Sequence, residues 1–324
     1  MPIATPLTKL LAVTHPILLA PMDVVADARL TAAVSAAGGL GILGGGYGDE
    51  DWLGRELGLL RQSRTRFGVG FITWSMAKQP RLLDLALEHE PAAILLSFGD
   101  PGPFVDRIKR KGALLICQVQ DEAMAQQALD AGADILIAQG TEAGGHGASR
   151  TTIDIVPAIV DLAAGRVPVA AAGGIGDGRG LAAMMMLGAS GVLLGTRFYA
   201  SQECDGAEEA KRRICAATSG NSVRGIIFDL SRNNVWPAPF TGRCLINDHA
   251  RRWMGREVEL MQNVQAVAAE YVAAKAAGNF DIAAVIAGEA AGLIHDIPPA
   301  AEIVDRIVTE ADQILNGRRN SVAA

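Results

Sequence analysis

The chain of 324 residues carries 29 basic and 35 acidic side chains, so its formal net charge is −6. This acidic balance provides no basic footprint for nucleic acid or for an anionic membrane surface. Half of the residues are hydrophobic and 37 are glycine, which predicts a large packed core with many tight loops. Since no apolar run is long enough to span a membrane and the four cysteines lie far apart, we expect a soluble cytoplasmic protein.

Short apolar segments alternate with amphipathic ones from residue 16 to residue 198. The predicted strands are Ile17–Ala20, Leu40–Leu43, Phe67–Thr73, Ala92–Phe98, Ala113–Val119, Ala133–Gln139, Val167–Ala172 and Gly191–Phe198. Helices are predicted between them at 27–37, 50–63, 79–90, 102–111, 121–131, 152–164 and 177–187. This alternation predicts an α/β fold, a (β/α)8 TIM barrel with right-handed crossovers. A doubly wound open sheet is the alternative, which the count of eight units disfavours.

The helix that would complete the barrel does not directly follow the eighth strand. About 100 mostly helical residues come first, with an irregular stretch at Ser231–Asn247. The last predicted helix, Pro299–Leu315, has an apolar stripe at Ile303, Ile307 and Ile314, so it is suited to close the barrel. We therefore expect residues 1–204 and 298–324 to form the barrel, and residues 205–297 to form an inserted helical subdomain beside the active site.

The sixth predicted strand leads into a glycine-rich loop that carries His146. Gly144, Gly145 and Gly147 permit positive φ angles and a close approach of the backbone to a ligand. Catalytic groups of such barrels lie at the C-terminal ends of the strands, so an exposed acid–base histidine is predicted. The alternative, a structural histidine satisfied by backbone carbonyls, is disfavoured by the glycine surroundings.

Two further glycine loops follow the seventh and eighth predicted strands, at Ala171–Gly178 and Leu194–Phe198. In TIM barrels these loops bind phosphate through backbone N–H groups and a helix N-terminus. Thr196 adds a hydroxyl donor. Two such loops, adjacent in the barrel, therefore predict a phosphate site rather than ordinary tight turns.

Two other segments bear on cofactor binding. Gly39–Gly44 matches the G-x-G-x-x-G pattern of dinucleotide-binding folds, but it follows a helix and contains the second strand, which disfavours a Rossmann-type nicotinamide site. Pro21 ends the first strand, and Met22 then offers a soft apolar surface for a flat aromatic cofactor. Alternatively, Met22 plugs the top of the barrel.

Several motifs together resemble the nitronate monooxygenases, formerly called 2-nitropropane dioxygenases. They are Ala20–Met22, Gln139–His146, Ala171–Gly174 and Gly195–Phe198, and the segments Gly44–Gly48, Trp236–Pro237 and Thr241–Arg243 also look like members of that family. The resemblance covers residues 14–200. It implies an FMN-binding barrel with an inserted helical domain beside the active site.

The resemblance also implies roles for individual residues. The residues implied to bind FMN are Pro21, Met22, Thr73, Gln118, Gln139, Gly144, Gly145, Ala172, Gly173, Gly174, Gly195 and Thr196. Among them Gly173, Gly174, Gly195 and Thr196 would hold the phosphate. Pro21 and Met22 would lie beside the isoalloxazine ring, and the two glutamines would hydrogen-bond it. His146 would be the catalytic base.

The implied reaction is the oxidation of a nitronate or nitroalkane by O2 to a carbonyl compound and nitrite. A neutral imidazole near pH 7 can remove the acidic α-proton of a nitroalkane, and the nitronate then gives an electron to FMN. A substrate already present as the nitronate would instead be bound and oriented by His146. We expect no metal, nucleic acid or membrane partner. Met184–Met186 fits either barrel packing or a homodimer interface.

Other functions stay open at this stage. An NAD(P)H-dependent quinone reductase, an enoyl-thioester reductase and a ligand-binding barrel without catalysis all fit the same FMN site. A purine nucleotide dehydrogenase is disfavoured, because it needs a cysteine in an active-site loop and Cys117 lies within the fifth strand. Trp74 and Trp236 either wall an apolar substrate pocket or serve ordinary packing.

Overall fold

The computed structural model describes residues 2–317 and contains a closed ring of parallel strands. Its strands are β1 Ile17–Leu19, β2 Gly41–Gly44, β3 Phe67–Ile72, β4 Ala93–Ser97, β5 Leu114–Val119, β6 Ile135–Gln139, β7 Val169–Ala172 and β8 Gly191–Leu194. From β2 to β8 each strand pairs with the next in sequence, and β8 pairs with β1. A parallel bridge between Leu18 and Leu40 joins β1 to the entry of β2. The sheet is therefore a (β/α)8 barrel, as predicted, and not an open doubly wound sheet.

Helices alternate with the strands at nearly the predicted positions. They are Ala28–Ala36, Glu50–Ser63, Arg81–Glu88, Gly102–Arg110, Glu122–Asp130, Thr152–Ala163 and Gly178–Met186. Four of them begin where an aspartate accepts a hydrogen bond from a backbone N–H three residues later; the capping residues are Asp27, Asp49, Asp121 and Asp177. These caps fix where each helix starts after its barrel loop.

The last helix, Ala300–Leu315, packs against Gly178–Met186 and Ala28–Ala36. That is the place of the eighth helix in the outer ring of a barrel. Its Ile303 and Ile307 are buried and Ile314 is partly buried against the same core, as the apolar stripe predicted.

The inside of the barrel is filled with side chains. Alternate residues of the strands point inward, among them Leu18, Ile42, Leu95, Ile116 and Ile137. Leu7 and Leu11 of the N-terminal helix Pro6–Leu11 belong to the same cluster. Because the interior is packed, a ligand has room only beyond the strand ends.

Four strands end earlier than predicted, and the first of them, β1, ends at Leu19 instead of Ala20. β3 ends at Ile72, and Thr73 begins a short helix, Thr73–Met76. β4 ends at Ser97, and Phe98 adopts a φ of 63°. β8 ends at Leu194, after which Thr196–Tyr199 is helical. The prediction was too long because buried residues such as Phe198 continue the apolar run where the chain has already left the sheet.

Residues 205–297 contain more β-structure than predicted. Their helices are Glu208–Ala216, Ile227–Ser231, Asp248–Trp253, Glu257–Gln262, Val264–Ala276 and the 3-10 helix Glu289–Leu293. Two strands, Ser222–Gly225 and Thr241–Leu245, pair antiparallel with each other, and Thr241–Leu245 also pairs with Gly145–Gly147. We call these three strands the side sheet. The predictions of an irregular stretch through Thr241–Leu245 and of a loop at Gly145–Gly147 were therefore wrong.

The structure also bears on the predictions for the G-x-G-x-x-G match, for Met184–Met186 and for membrane-spanning segments. Gly41–Gly44 is β2 itself, so the G-x-G-x-x-G match contains a strand, as predicted, instead of following one. Met184 is packed into the core whereas Met186 is 78% exposed. Within residues 2–317 no helix has both the length and the apolar character to cross a membrane. The C-terminal end of the predicted barrel segment, residues 318–324, lies outside the described residues.

Candidate active site

A cavity of about 490 Å³ opens at the C-terminal ends of the barrel strands. Its size lies in the range of small-molecule and cofactor sites. Every residue that the sequence predicted to bind the cofactor lines this cavity, except Thr73. The Thr73 side chain lies against Gly99, and its buried hydroxyl has no hydrogen-bond partner in the described chain. His146 also lines the cavity, so the structure brings the predicted base and the predicted cofactor loops together.

The loops after β7 and β8 offer free donors to the cavity. Gly173 and Gly174 adopt φ angles of 110° and 72°, which explains why glycine occupies both positions. The backbone N–H groups of Gly174 and Gly195 donate to no acceptor within residues 2–317. Thr196 Oγ1 accepts a hydrogen bond of 2.9 Å from the Gly288 N–H, which leaves the Thr196 hydroxyl hydrogen free to donate. This donor set suits a phosphate group.

The loop after β6 lies directly against the backbone of residues 287–288. A Cβ atom at Gly144 would lie 2.6 Å from the Gly288 nitrogen, and a Cβ atom at Gly288 would lie 2.5 Å from the Glu142 oxygen. Neither position has room for a side chain. The two backbones can therefore form one continuous wall of the cavity.

His146 is held in a strand of the side sheet, opposite Gly242. Its side chain is only 8% exposed. The expectation of an exposed histidine on a glycine-rich loop was therefore wrong. The strand that pairs with it, Thr241–Leu245, lies far away in the sequence, so no local pattern indicated the pairing.

Asp229 is the closest charged partner of His146. The Nε2 atom of His146 lies 3.0 Å from each carboxylate oxygen of Asp229, which is itself buried on the helix Ile227–Ser231. Arg232 Nη2 donates to Asp229 Oδ1 at 2.6 Å. Neither Asp229, just before the predicted irregular stretch, nor Arg232, within it, was predicted, because isolated charged residues carry no local signal of a site.

The other ring nitrogen of His146, Nδ1, is not enclosed by the described chain, and the residue lines the cavity. Nδ1 has no hydrogen-bond partner among the described residues. Burial lowers the pKa of His146 below its ordinary value of 6.5, and the hydrogen bond and charge of Asp229 oppose this effect. The imidazole is therefore neutral near pH 7 and can accept a proton.

An aromatic cluster covers one face of the imidazole. The Trp236 ring stacks on His146 with ring centroids 3.4 Å apart and planes at 6°. Trp236 Nε1 donates to the Tyr47 hydroxyl at 3.0 Å, and Trp74 meets the Trp236 ring edge-on at 5.3 Å. Trp236 lines the cavity, whereas Trp74 packs behind it.

A chain of glutamine amides supports the histidine from the barrel side. Gln120 Nε2 donates to Gln139 Oε1 at 2.9 Å, and Gln139 Nε2 donates to the His146 carbonyl at 3.1 Å. Gln139 therefore fixes the backbone of His146 while it lines the cavity. Gln118 lines the cavity and has no protein partner for its amide within residues 2–317. Gln120 was not predicted as part of the site.

The chain is similar to known proteins over most of its length. The model of the nitronate monooxygenase family matches residues 4–71 and 71–310. A nitronate monooxygenase from Neurospora crassa is 30% identical, over 92% of this chain and 89% of that protein. A 5-hydroxy-7a-methyl-1-oxo-octahydro-1H-indene-4-carboxyl-CoA dehydrogenase from Mycobacterium tuberculosis is 29% identical, over 96% of this chain and 97% of that protein. The solved structure of FabK from Thermotoga maritima superposes with a TM-score of 0.86 at 31% identity, covering 99% of this chain and all of the other.

Proposed function

The chain belongs to the nitronate monooxygenase family and is an oxidoreductase; from this premise we propose that it uses FMN to oxidise nitronates or nitroalkanes. The oxidant is O2, and the products are a carbonyl compound and nitrite. His146 is the base for neutral nitroalkanes.

One observation carries the proposal. A buried imidazole with a lowered pKa lies on the wall of the same cavity that offers the free N–H groups of Gly174 and Gly195. A general base must reach its proton inside the space that binds the substrate, and a phosphorylated cofactor needs donors at the other part of that space. The two requirements meet in this cavity.

The residues present fit FMN. The free donors of the loops after β7 and β8 suit its phosphate, and the thioether of Met22, which lines the cavity near Gly195, suits an aromatic ring. When bound, FMN supplies the redox step, taking electrons from the substrate and passing them to oxygen. The division into a barrel (1–204 and 298–324) and an active-site insert (205–297) is part of the same proposal, as are the cofactor roles of the individual residues.

The chain itself provides the proton transfer. His146 Nδ1 accepts the α-proton of a nitroalkane, while Asp229 at Nε2 and Trp236 on the ring face hold the imidazole in place. The apolar rings around Trp236 keep water away from that face, which favours a neutral imidazole. A nitronate needs no deprotonation, so His146 only orients it.

The absorption spectrum tests the cofactor. Purified protein, or protein incubated with FMN and freed of excess, should show a flavin spectrum with about one FMN per chain. Colourless protein that takes up no FMN would contradict the proposal that FMN is the cofactor.

A second candidate is an NAD(P)H-dependent reductase of quinones or enoyl thioesters on the same FMN site. It is supported by the M. tuberculosis relative, whose name specifies a carboxyl-CoA substrate, and by the similarity to FabK over nearly the whole chain. The two candidates differ in the electron donor, so a direct comparison of NADH with a nitronate separates them.

A further inference from the structure

Asp229 is a buried carboxylate whose position the family resemblance does not explain. It lies on the helix Ile227–Ser231, it is 5% exposed, and both of its oxygens lie 3.0 Å from His146 Nε2. Burying a carboxylate is costly unless it is paired and hydrogen-bonded. Its pairing with both His146 and Arg232 therefore indicates a specific task for this residue.

The contact determines which nitrogen of His146 carries the proton. An ionised carboxylate can only accept hydrogen bonds, so Nε2 must be the donor. In a neutral imidazole the other nitrogen, Nδ1, then carries the lone pair. Nδ1 is the ring nitrogen that has no protein partner in the described chain and is accessible from the cavity.

The surroundings leave Asp229 room for this contact and hold it there. A Cβ atom at Gly242, the strand partner of His146, would lie 3.5 Å from His146 Nε2 and 3.7 Å from Asp229 Oδ2. Arg232 donates through Nη2 to Asp229 and through Nε to the Phe228 carbonyl, which anchors the guanidinium. Trp236 prevents tilting of the imidazole by stacking on its face.

We propose that Asp229 is a positioning residue that fixes His146 in the tautomer protonated at Nε2, so that Nδ1 faces the substrate as the base. The inference rests on the proposed function for its catalytic meaning. The tautomer itself is a property of the protein alone.

Other charged groups act on the same imidazole. Arg232 and Arg224 both disfavour the imidazolium, and Asp229 is the acidic group that favours it. Tyr47 accepts a hydrogen bond from Trp236, and Asp23 and Lys275 line the cavity; among the described residues none of the three hydrogen-bonds to His146. Neutralising Asp229 therefore removes the acidic partner and leaves the two arginines unopposed.

Nitrogen NMR of the full-length chain labelled with 15N-histidine tests the tautomer. The chain has five histidines, so single replacements assign each signal. Near neutral pH the wild-type His146 should show a protonated Nε2 and an unprotonated Nδ1. A protonated Nδ1 would overturn the proposal, and this measurement needs no variant of Asp229 that folds.

The Asp229→Asn variant tests the electrostatic effect. It keeps the shape of the side chain and an acceptor for Nε2 but loses the charge, so the pKa of His146 should fall below that of the wild type. An unchanged pKa would contradict the proposal. The matched control is Asp248→Asn, an exposed carboxylate of the same insert that pairs with Arg251 and should leave His146 unchanged.

Kinetics connect the tautomer to the reaction. For a neutral nitroalkane, kcat/KM of Asp229→Asn should fall about tenfold or more, and the rising limb of its pH profile should move to lower pH, because a weaker base titrates earlier. Turnover of the nitronate should fall much less. If the rising limb of the pH profile stays where it is in the wild type, the positioning role of Asp229 is overturned. Absence of any nitroalkane turnover in the wild type would instead reject the proposed function while leaving the NMR result to decide on Asp229.

Discussion

His146 is distinguished from a surface histidine by three contacts: the Asp229 carboxylate, the Trp236 ring and the Gln139 amide. Each holds a different part of the residue, namely Nε2, the ring face and the backbone carbonyl. Together they leave Nδ1 as the ring nitrogen without a hydrogen-bond partner among the described residues. This is the geometry expected of a base that must hold one orientation during proton transfer.

Replacement of His146 by asparagine should separate the two kinds of substrate. Turnover of a neutral nitroalkane should fall about 10²- to 10⁴-fold, the usual contribution of a general base. Turnover of the corresponding nitronate should fall far less, because its proton is already removed. Steady-state kinetics on matched nitroalkane and nitronate preparations, with the FMN content measured alongside, check this. Equal retention of both activities would remove His146 as the base.

At this scale the sequence predicted part of the site. The glycines around His146 and in the late loops were singled out because glycine lets a backbone approach a ligand, and they line the cavity. Asp229, Arg232 and Gln120 were not found, because their importance comes from contacts with residues distant in the sequence. Thr73 was included because the family resemblance implied a cofactor role at the end of the third predicted strand, but its side chain packs against Gly99.

At the scale of elements, the barrel strands were predictable and the side sheet was not. A barrel strand is covered on both faces, so it appears as a continuous apolar run, such as Ile94–Leu96 in β4. The strands of the side sheet are short, and Gly145–Gly147 contains only glycine and histidine. Such segments have low intrinsic strand preference, and they become strands only because Thr241–Leu245 is brought beside them.

The contact between the loop after β6 and the backbone at Gly288 gives a test at this scale. Gly144→Ala places a Cβ atom 2.6 Å from the Gly288 nitrogen, so the two backbones must separate. We expect FMN binding to weaken about tenfold or more, which corresponds to about 1.4 kcal/mol. Fluorescence titration with FMN measures the change.

Gly58→Ala is the matched control for that substitution. Position 58 lies within the helix Glu50–Ser63, and a Cβ atom there would meet nothing within 4 Å. This variant should bind FMN as the wild type does and should gain about 0.5–1 kcal/mol in the free energy of unfolding. Unchanged FMN affinity in Gly144→Ala would show that this contact does not shape the cofactor site.

At the scale of the whole molecule, the fold places the predicted base and the predicted phosphate donors at the same end of the barrel. The closed barrel directs the C-terminal ends of β6, β7 and β8 to neighbouring positions, so that His146 lines the same cavity as Gly174 and Gly195. The proposed insert, residues 205–297, supplies Asp229 and Trp236, which both contact His146. The sequence alone predicted the first half of this arrangement, because barrel order follows chain order. It could not predict the second, because the insert has no repeating pattern that fixes its position.

Anaerobic reduction of the FMN-loaded protein tests the central claim most directly. A nitronate should bleach the flavin absorption rapidly in the absence of oxygen, whereas NADH should do so slowly or not at all. Admitting oxygen should then restore the spectrum with release of nitrite. Rapid bleaching by NADH together with no reaction with the nitronate would contradict the account and favour the reductase.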